Sequence, residues 1–437
     1  MSKLTPFQIE KLGLSKIKSP LQLSTVRGDN IFNFIDDNDK LVYDLSMENY
    51  NQCLSKNEEP PCMEKAGPRQ HIYFAPEKTT AAIVTCGGLC PGVNNVIRGV
   101  VMALYYFYGV KRILGVPYGY EGLNPDMGHG FIELTPDKVK DIHQFGGTIL
   151  GSSRGAQSVS TMVDTLVGNN INMLYTIGGD GTLKGANAIG DEIKKRGLDI
   201  AIVGIPKTID NDIDIIDKSF GFETSFDVAS PILRDAHNEA TGAYNGIAII
   251  KLMGRDSGFI AASASLAMPV VNFVLVPESA FELYGENGFL EQLKKRLKQK
   301  HHAVIVVAEG AGQHLLEDGN KEKDASGNIK HKDIGLFLKE TIKTYLADTQ
   351  NTIKYIDPSY IIRSAAANSS DSVFCSGLAY HAVHGALAGK TNFVIGKVND
   401  KFVYLPIAAV TTKRKKIDLE SEFWFAVLQS TGQPFKM

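Results

Sequence analysis

Short apolar runs, most of them closed by a turn rich in glycine or aspartate, recur along this chain and constrain its fold more than any other feature. They occupy residues 81–85, 173–177, 200–205, 246–252, 271–276 and 303–308, and stretches of helical pattern separate them. Continuous apolar runs of this length read as strands buried on both faces, as in a parallel sheet covered by helices. The alternation argues for an α/β fold with mainly parallel sheets. At 437 residues the chain exceeds what one hydrophobic core commonly serves, so two or more packed lobes are expected. Residues 1–75 are polar, broken at Pro60 and Pro61, and read as an N-terminal extension. The polar stretch 317–332 reads as an exposed loop.

Composition narrows the functional classes. A formal net charge of −2 leaves no electrostatic footprint for nucleic acid, and the one dense basic run, 413–416, is short and near the C-terminus. No apolar stretch approaches the roughly 20 residues of a membrane helix, and Met1 to Thr5 carry no signal-peptide core. The expectation is a cytoplasmic protein with neither nucleic acid nor membrane as partner. The five cysteines are an odd number, and Cys86 and Cys90 lack partners for a disulfide or a closed zinc site. Neither lies beside an obvious base, so reduced, non-catalytic thiols are expected.

Ligands in open α/β folds collect at the carboxyl ends of strands, where this chain concentrates its glycines and aspartates. The first run leads into Gly87 and Gly88 and then a helical stretch, 94–107. Such a turn brings backbone N–H groups and a helix dipole to a phosphate, and serves equally as a plain tight turn. The second run ends in Gly178, Gly179, Asp180, Gly181 and Thr182. A carboxylate among small residues there suits a magnesium-bound nucleotide, while the alternative is an aspartate capping a helix from Leu183 onward. The third run ends in Lys207, Thr208, Asp210 and Asp212. Two carboxylates two residues apart can face one site, one accepting a hydroxyl proton and one supporting a metal, and the alternative is a surface turn. Arg255, after Met253 and Gly254, can reach a phosphate bidentately, and Glu309 can meet sugar hydroxyls. Tyr360 and Arg363, three apart, share one face of a helical turn.

Taken together, GGLCPG at 87–92, GGDGT at 178–182, PKTIDND at 206–212, MGR at 253–255 and the Tyr360 and Arg363 pair resemble, in this order, the phosphofructokinase family. GGDGT alone also occurs in NAD and diacylglycerol kinases, which lack the motifs that follow. The resemblance implies two Rossmann-like lobes and transfer of a phosphoryl group from ATP, with Mg2+, to the 1-hydroxyl of fructose 6-phosphate in glycolysis. It implies an ATP-binding lobe over 76–222, a sugar-phosphate lobe over 223–363 and a C-terminal return segment, 364–437. Asp210 is then the catalytic base, Asp180 and Asp212 flank magnesium, and Arg255 stabilises the transferring phosphoryl beside Lys207 and Thr208. Gly87, Gly88, Tyr120, Arg154, Gly179, Asp180, Gly181 and Thr182 would line the ATP site. Thr208, Asp210, Asp212, Met253, Gly254, Arg255, Glu309, Tyr360 and Arg363 would hold the sugar phosphate. An allosteric homotetramer is implied by the family alone.

Departures from the family pattern sharpen the donor question. Lys207 stands where bacterial ATP-dependent members have glycine and pyrophosphate-dependent members have lysine. Gly181 points the other way: pyrophosphate-dependent members carry aspartate there, whose bulk and charge would collide with an α-phosphate. Direct exclusion is the stronger filter, so ATP is expected, with pyrophosphate as the alternative. The glycine-plus-lysine combination resembles the ATP-dependent members of trypanosomes. Arginines that bacterial members bring to the sugar phosphate fall at Gly246 and Ser372, and an effector-site arginine falls at Met102. A sugar-phosphate or nucleotide sensor of the same fold is a further alternative, opposed by intact Asp210 and Arg255.

Overall fold

Each apolar run forms a strand. In the computed structural model, described over residues 7–316, 322 and 330–437, the main strands are β1 (Thr80–Thr85), β2 (Arg112–Val116), β3 (Met173–Gly178), β4 (Ala201–Pro206), β5 (Gly246–Leu252), β6 (Phe273–Leu275), β7 (His302–Ala308), β8 (Thr352–Ile356), β9 (Phe393–Val398) and β10 (Lys401–Pro406). Met1 to Thr5 and most of 317–332 lie outside the described residues. β6 is shorter than its apolar run. The Asn272 side chain takes the Val304 N–H at one end, and Pro277 brings no N–H at the other.

Contacts divide the chain into two units. The first comprises Met1–Thr208, Ile213–Phe220 and Ser369–Lys413. Its nine-stranded sheet runs Lys40–Val42, Cys62–Lys65, β10, β9, β4, β3, β1, β2 and Ile132–Glu133. The five strands from β9 to β2 are parallel, and the outer strands on both sides pair antiparallel. The second unit comprises Ile209–Asp212, Gly221–Asn368 and Arg414–Met437, and its sheet, β6-β7-β5-β8, is wholly parallel.

These units cut the chain at other points than the extension expected at 1–75, the lobes at 76–222 and 223–363 and the return segment at 364–437. Residues 40–42 and 62–65 are strands of the first sheet, so the N-terminal segment belongs to its fabric rather than standing apart. The C-terminal stretch is shared, since β9 and β10 join the first sheet while Arg414–Met437 packs with the second unit.

Parallel register sets the turns beside one another. In the first unit Thr85 pairs with Ile177 and Gly178 with Pro206, so the turns after β1, β3 and β4 are neighbours. In the second, Leu252 pairs with Ala308 and Ile250 with Ile356, which aligns the segments after β5, β7 and β8. The helical stretch at 94–107 proves to be α1 (Val93–Met102) followed by a wider π-helical segment, Ala103–Tyr108, that ends at Gly109 with φ +84°.

Candidate active site

In the first unit the turn after β1 is stapled to the loop that carries Arg154. The Gly87 N–H donates to the Ser153 carbonyl at 3.1 Å, and the Ser152 hydroxyl donates to the Gly87 carbonyl at 2.6 Å. Gly87 has φ +84°, a conformation glycine adopts without steric cost. Arg154 itself is exposed. From the end of β4 the buried Lys207 reaches across, and its ammonium donates to the Gly88 carbonyl at 2.6 Å.

Helix α2 (Asp180–Lys195) starts one residue after Gly179. The alternative of an aspartate capping a helix from Leu183 therefore does not hold: Asp180 is already helical, and its carboxylate accepts from Lys184 at 2.9 Å. Gly181 lies in this first turn, and a Cβ built on it meets no heavy atom within 4 Å. Tyr120 is buried, and its hydroxyl donates to the Thr182 carbonyl at 2.7 Å, so it braces the turn from within. All five cysteines are thiols, as expected, and burial pushes Cys86 up to about 12.

In the second unit the 210–212 turn meets the segments after β5 and β7. The Asp210 carbonyl accepts from the Ser257 hydroxyl at 2.8 Å. Burial, then the charges of Asp212 and Glu309, push the Asp210 carboxyl up to about 8, against the opposing charge of Arg414. A carboxyl raised this far holds its proton near neutrality and ionises only when a nearby cation offsets the charge of its neighbours. Asn211, in between, has φ +54°. The Gly310 N–H donates to the Gly254 carbonyl at 3.0 Å, and a Cβ at Gly310 would lie 1.8 Å from the Arg255 carbonyl oxygen, so the Arg255 and Glu309 segments close only on a glycine.

Tyr360 and Arg363 do share a face, on the short helix α3 (Ser359–Ser364), with the guanidinium 4.8 Å from the ring centroid. Lys251 ion-pairs with Asp357 at 2.9 Å, and Asp357 takes the Ser359 N–H, which fixes where this helix begins. Thr208 stands at the crossing into the first unit, where its carbonyl accepts from Ser219 at 2.7 Å.

The missing arginines have local reasons. A Cβ at Gly246 would lie 2.1 Å from the Ala240 carbonyl oxygen, so no side chain fits there. Ser372 accepts from the Asn95 amide at 3.1 Å. Sequence reasoning passed over Arg414, which ion-pairs with Asp212 at 3.5 Å and also contacts Asp256. It lies in the basic run 413–416, and the signal was the excess of carboxylates in motifs that bring few cations.

The first unit thus holds glycine turns beside a buried lysine, and the second an aspartate beside an arginine and a glutamate, a set of groups suited to a phosphotransferase. Comparison with known proteins gives the family. The chain belongs to the phosphofructokinase family, whose model, described as Phosphofructokinase, matches residues 80–386. It is 49% identical to an ATP-dependent 6-phosphofructokinase of Borreliella burgdorferi over 99% of this chain and 97% of the relative. It is 51% identical to ATP-dependent 6-phosphofructokinase 1 of Arabidopsis thaliana over 85% of this chain and 79% of the relative. Among solved structures it resembles the pyrophosphate-dependent phosphofructokinase of Marinobacter aquaeolei, with TM-score 0.67 and 20% identity, covering 81% of this chain and 91% of that one. The Pichia pastoris phosphofructokinase matches with TM-score 0.61 and 23% identity over 81% of this chain and 37% of that one. At these identities the two structures speak for the fold alone. Among the described residues no helix is long and apolar enough to cross a membrane.

Proposed function

We propose that this chain is an ATP-dependent 6-phosphofructokinase, transferring the γ-phosphoryl group of ATP to the 1-hydroxyl of fructose 6-phosphate. The placement of Asp210 carries this reading, in a turn held against the segment after β5 by Ser257 and beside Arg414: as a carboxylate it accepts the 1-hydroxyl proton while that oxygen attacks the γ-phosphorus and ADP departs. Arg255 balances the charge that develops on the transferring group. Met253, Gly254, Glu309, Tyr360 and Arg363, with Thr208 and Asp212, orient the sugar phosphate. Gly87, Gly88, Arg154 and the 179–182 turn receive the nucleotide, with Tyr120 bracing that turn through Thr182.

Asp180 in the first unit and Asp212 in the second each offer hard oxygen donors that would suit Mg2+. Mg2+ is commonly held by one or two carboxylates together with substrate phosphates. Bound there, Mg2+ would neutralise phosphate charge.

Pyrophosphate is the second reading, and Lys207 is the observation that favours it. Its ammonium is already engaged with the Gly88 carbonyl, so it also has work in holding the glycine turn. Open space at Gly181 supports ATP. Cytoplasmic location, a role in glycolysis and assembly to a homotetramer belong to this proposal on family likeness; light scattering of the purified chain checks the last. The functional test is product identification after incubation with ATP and fructose 6-phosphate. Formation of fructose 1,6-bisphosphate by wild type and not by Asp210→Asn is expected, and bisphosphate formed equally by both contradicts the assignment of the base.

A further inference from the structure

Several carboxylates crowded into one corner of a site need a cation to hold them in place. In the second unit the Ser257 hydroxyl donates to the Asp210 carbonyl at 2.8 Å, which joins the 210–212 turn to the loop after β5 and brings Asp212 and Asp256 to one arginine. The answering cation comes from far along the chain. Arg414 Nη1 reaches Asp212 at 3.5 Å and makes a still closer contact with Asp256. The next residue secures the backbone: the Lys415 N–H donates to the Asp212 carbonyl at 2.9 Å, and its ammonium donates to the Asn211 side-chain oxygen at 3.2 Å. Two residues on, the Ile417 N–H donates to Glu278 at 2.9 Å, and the same carboxylate takes the Gly258 N–H at 3.1 Å. The segment 414–417 is thus laced to the 210–212 turn and to the loop after β5.

This lacing bears on the chemistry through Asn211. With φ +54° it holds a left-handed conformation that asparagine tolerates better than most residues, and that conformation sets the directions of Asp210 and Asp212. We infer that Arg414 is a positioning residue for phosphoryl transfer, holding Asp212 and Asp256 so that the 210–212 turn presents its base in register with the transferring group. The inference rests on the phosphofructokinase reading of the site. A planar, permanently charged guanidinium bridges two carboxylates, whereas the point charge of a lysine holds them less firmly. Arg414 acts through Asp212 rather than on the reacting atoms.

The test assays Arg414→Ala, Arg414→Lys and Arg414→Gln beside wild type with ATP and fructose 6-phosphate, and records the thermal midpoint of each. Arg414→Ala is expected to lose about 10- to 100-fold in kcat, the scale of a displacement near 1 Å, with the KM for ATP little changed. Arg414→Lys is expected to recover part of kcat, and added millimolar guanidinium ion to recover part in Arg414→Ala while leaving wild type unaltered. Wild-type kcat in Arg414→Ala overturns the inference. So does a raised KM for fructose 6-phosphate at unchanged kcat, which would make Arg414 a ligand. A loss that follows the thermal midpoint across all three variants and ignores guanidinium would mean a structural role only, and also overturns it. Should Arg414→Ala fail to fold, the lysine and glutamine variants carry the same readouts. No wild-type turnover with ATP would count against the functional reading, which separates the two failures.

Discussion

The Lys207 ammonium donates to the Gly88 carbonyl at 2.6 Å, tying the end of β4 to the glycine turn after β1. The residue whose identity argues for pyrophosphate is therefore also part of the frame of the first unit's glycine turn. Lys207→Met, which keeps the length and removes the donor, is expected to reduce kcat/KM for ATP by loosening that turn, not to switch donors. Kinetics with both donors check this, and a variant that uses ATP at wild-type efficiency would show that the bond is idle.

Arg363 faces the Tyr360 ring on α3, and Tyr360 is 73% exposed. Arg363→Ala is expected to raise the KM for fructose 6-phosphate well above its effect on ATP. Tyr360→Ala loses only an exposed cation–π contact and should cost about two- to fivefold in the same constant. Initial-rate measurements varying each substrate separate the two, and an effect confined to ATP would remove both residues from the sugar-phosphate site.

At Gly246 the obstacle is backbone, since the Ala240 carbonyl oxygen occupies the space of a side chain. Gly246→Ala is expected to destabilise the chain by about 1–3 kcal/mol through overpacking. Chemical denaturation measures it. Unchanged stability would mean that the carbonyl moves aside readily.

Burial would raise the Asp37 carboxyl, but hydrogen bonds from Lys11 and Arg69 and the charge of Lys390 carry it well below its ordinary value of 3.8. A carboxyl lowered on folding stabilises above its unfolded value, and that stabilisation is lost as pH falls below about 4. Thermal midpoints of wild type should therefore drop more steeply below pH 4 than those of Asp37→Asn. Parallel curves would show that the pairing contributes nothing to folding.

How much of this was legible depended on whether the physical cause was local. The buried strands were, because β1, β3, β4, β5 and β7 are apolar runs with few polar residues, and glycine, proline or an acidic residue ends each of them or follows within two positions. The pairing of Tyr360 with Arg363 was, because helical spacing fixes it. The strands at Lys40–Val42 and Cys62–Lys65 were hidden: they are short, mixed in polarity, and defined by partners such as Val403 opposite Lys65, far along the chain. The start of α2 at Asp180 was missed because glycines on both sides weaken any helix signal there. Arg414 was missed for the same reason as the edge strands. Its meaning lies in Asp212 and Asp256, and within the run 413–416 it reads only as surface charge.

The account as a whole turns on the choice of phosphoryl donor, and Gly181 is where it is decided. Apart from its own helix, a Cβ at this position meets nothing within 4 Å, so an aspartate can be added there without a clash, and on the proposed reading it would face the donor. The measurement is the ratio of kcat/KM for ATP to that for pyrophosphate, in wild type and in Gly181→Asp. Wild type is predicted to prefer ATP strongly. Gly181→Asp is predicted to lower the ratio by repelling the α-phosphate, while pyrophosphate, lacking a nucleoside to displace, suffers much less. A wild-type ratio that favours pyrophosphate would contradict the account and make Lys207 the better guide, and a ratio unaltered in Gly181→Asp would show that residue 181 does not face the donor.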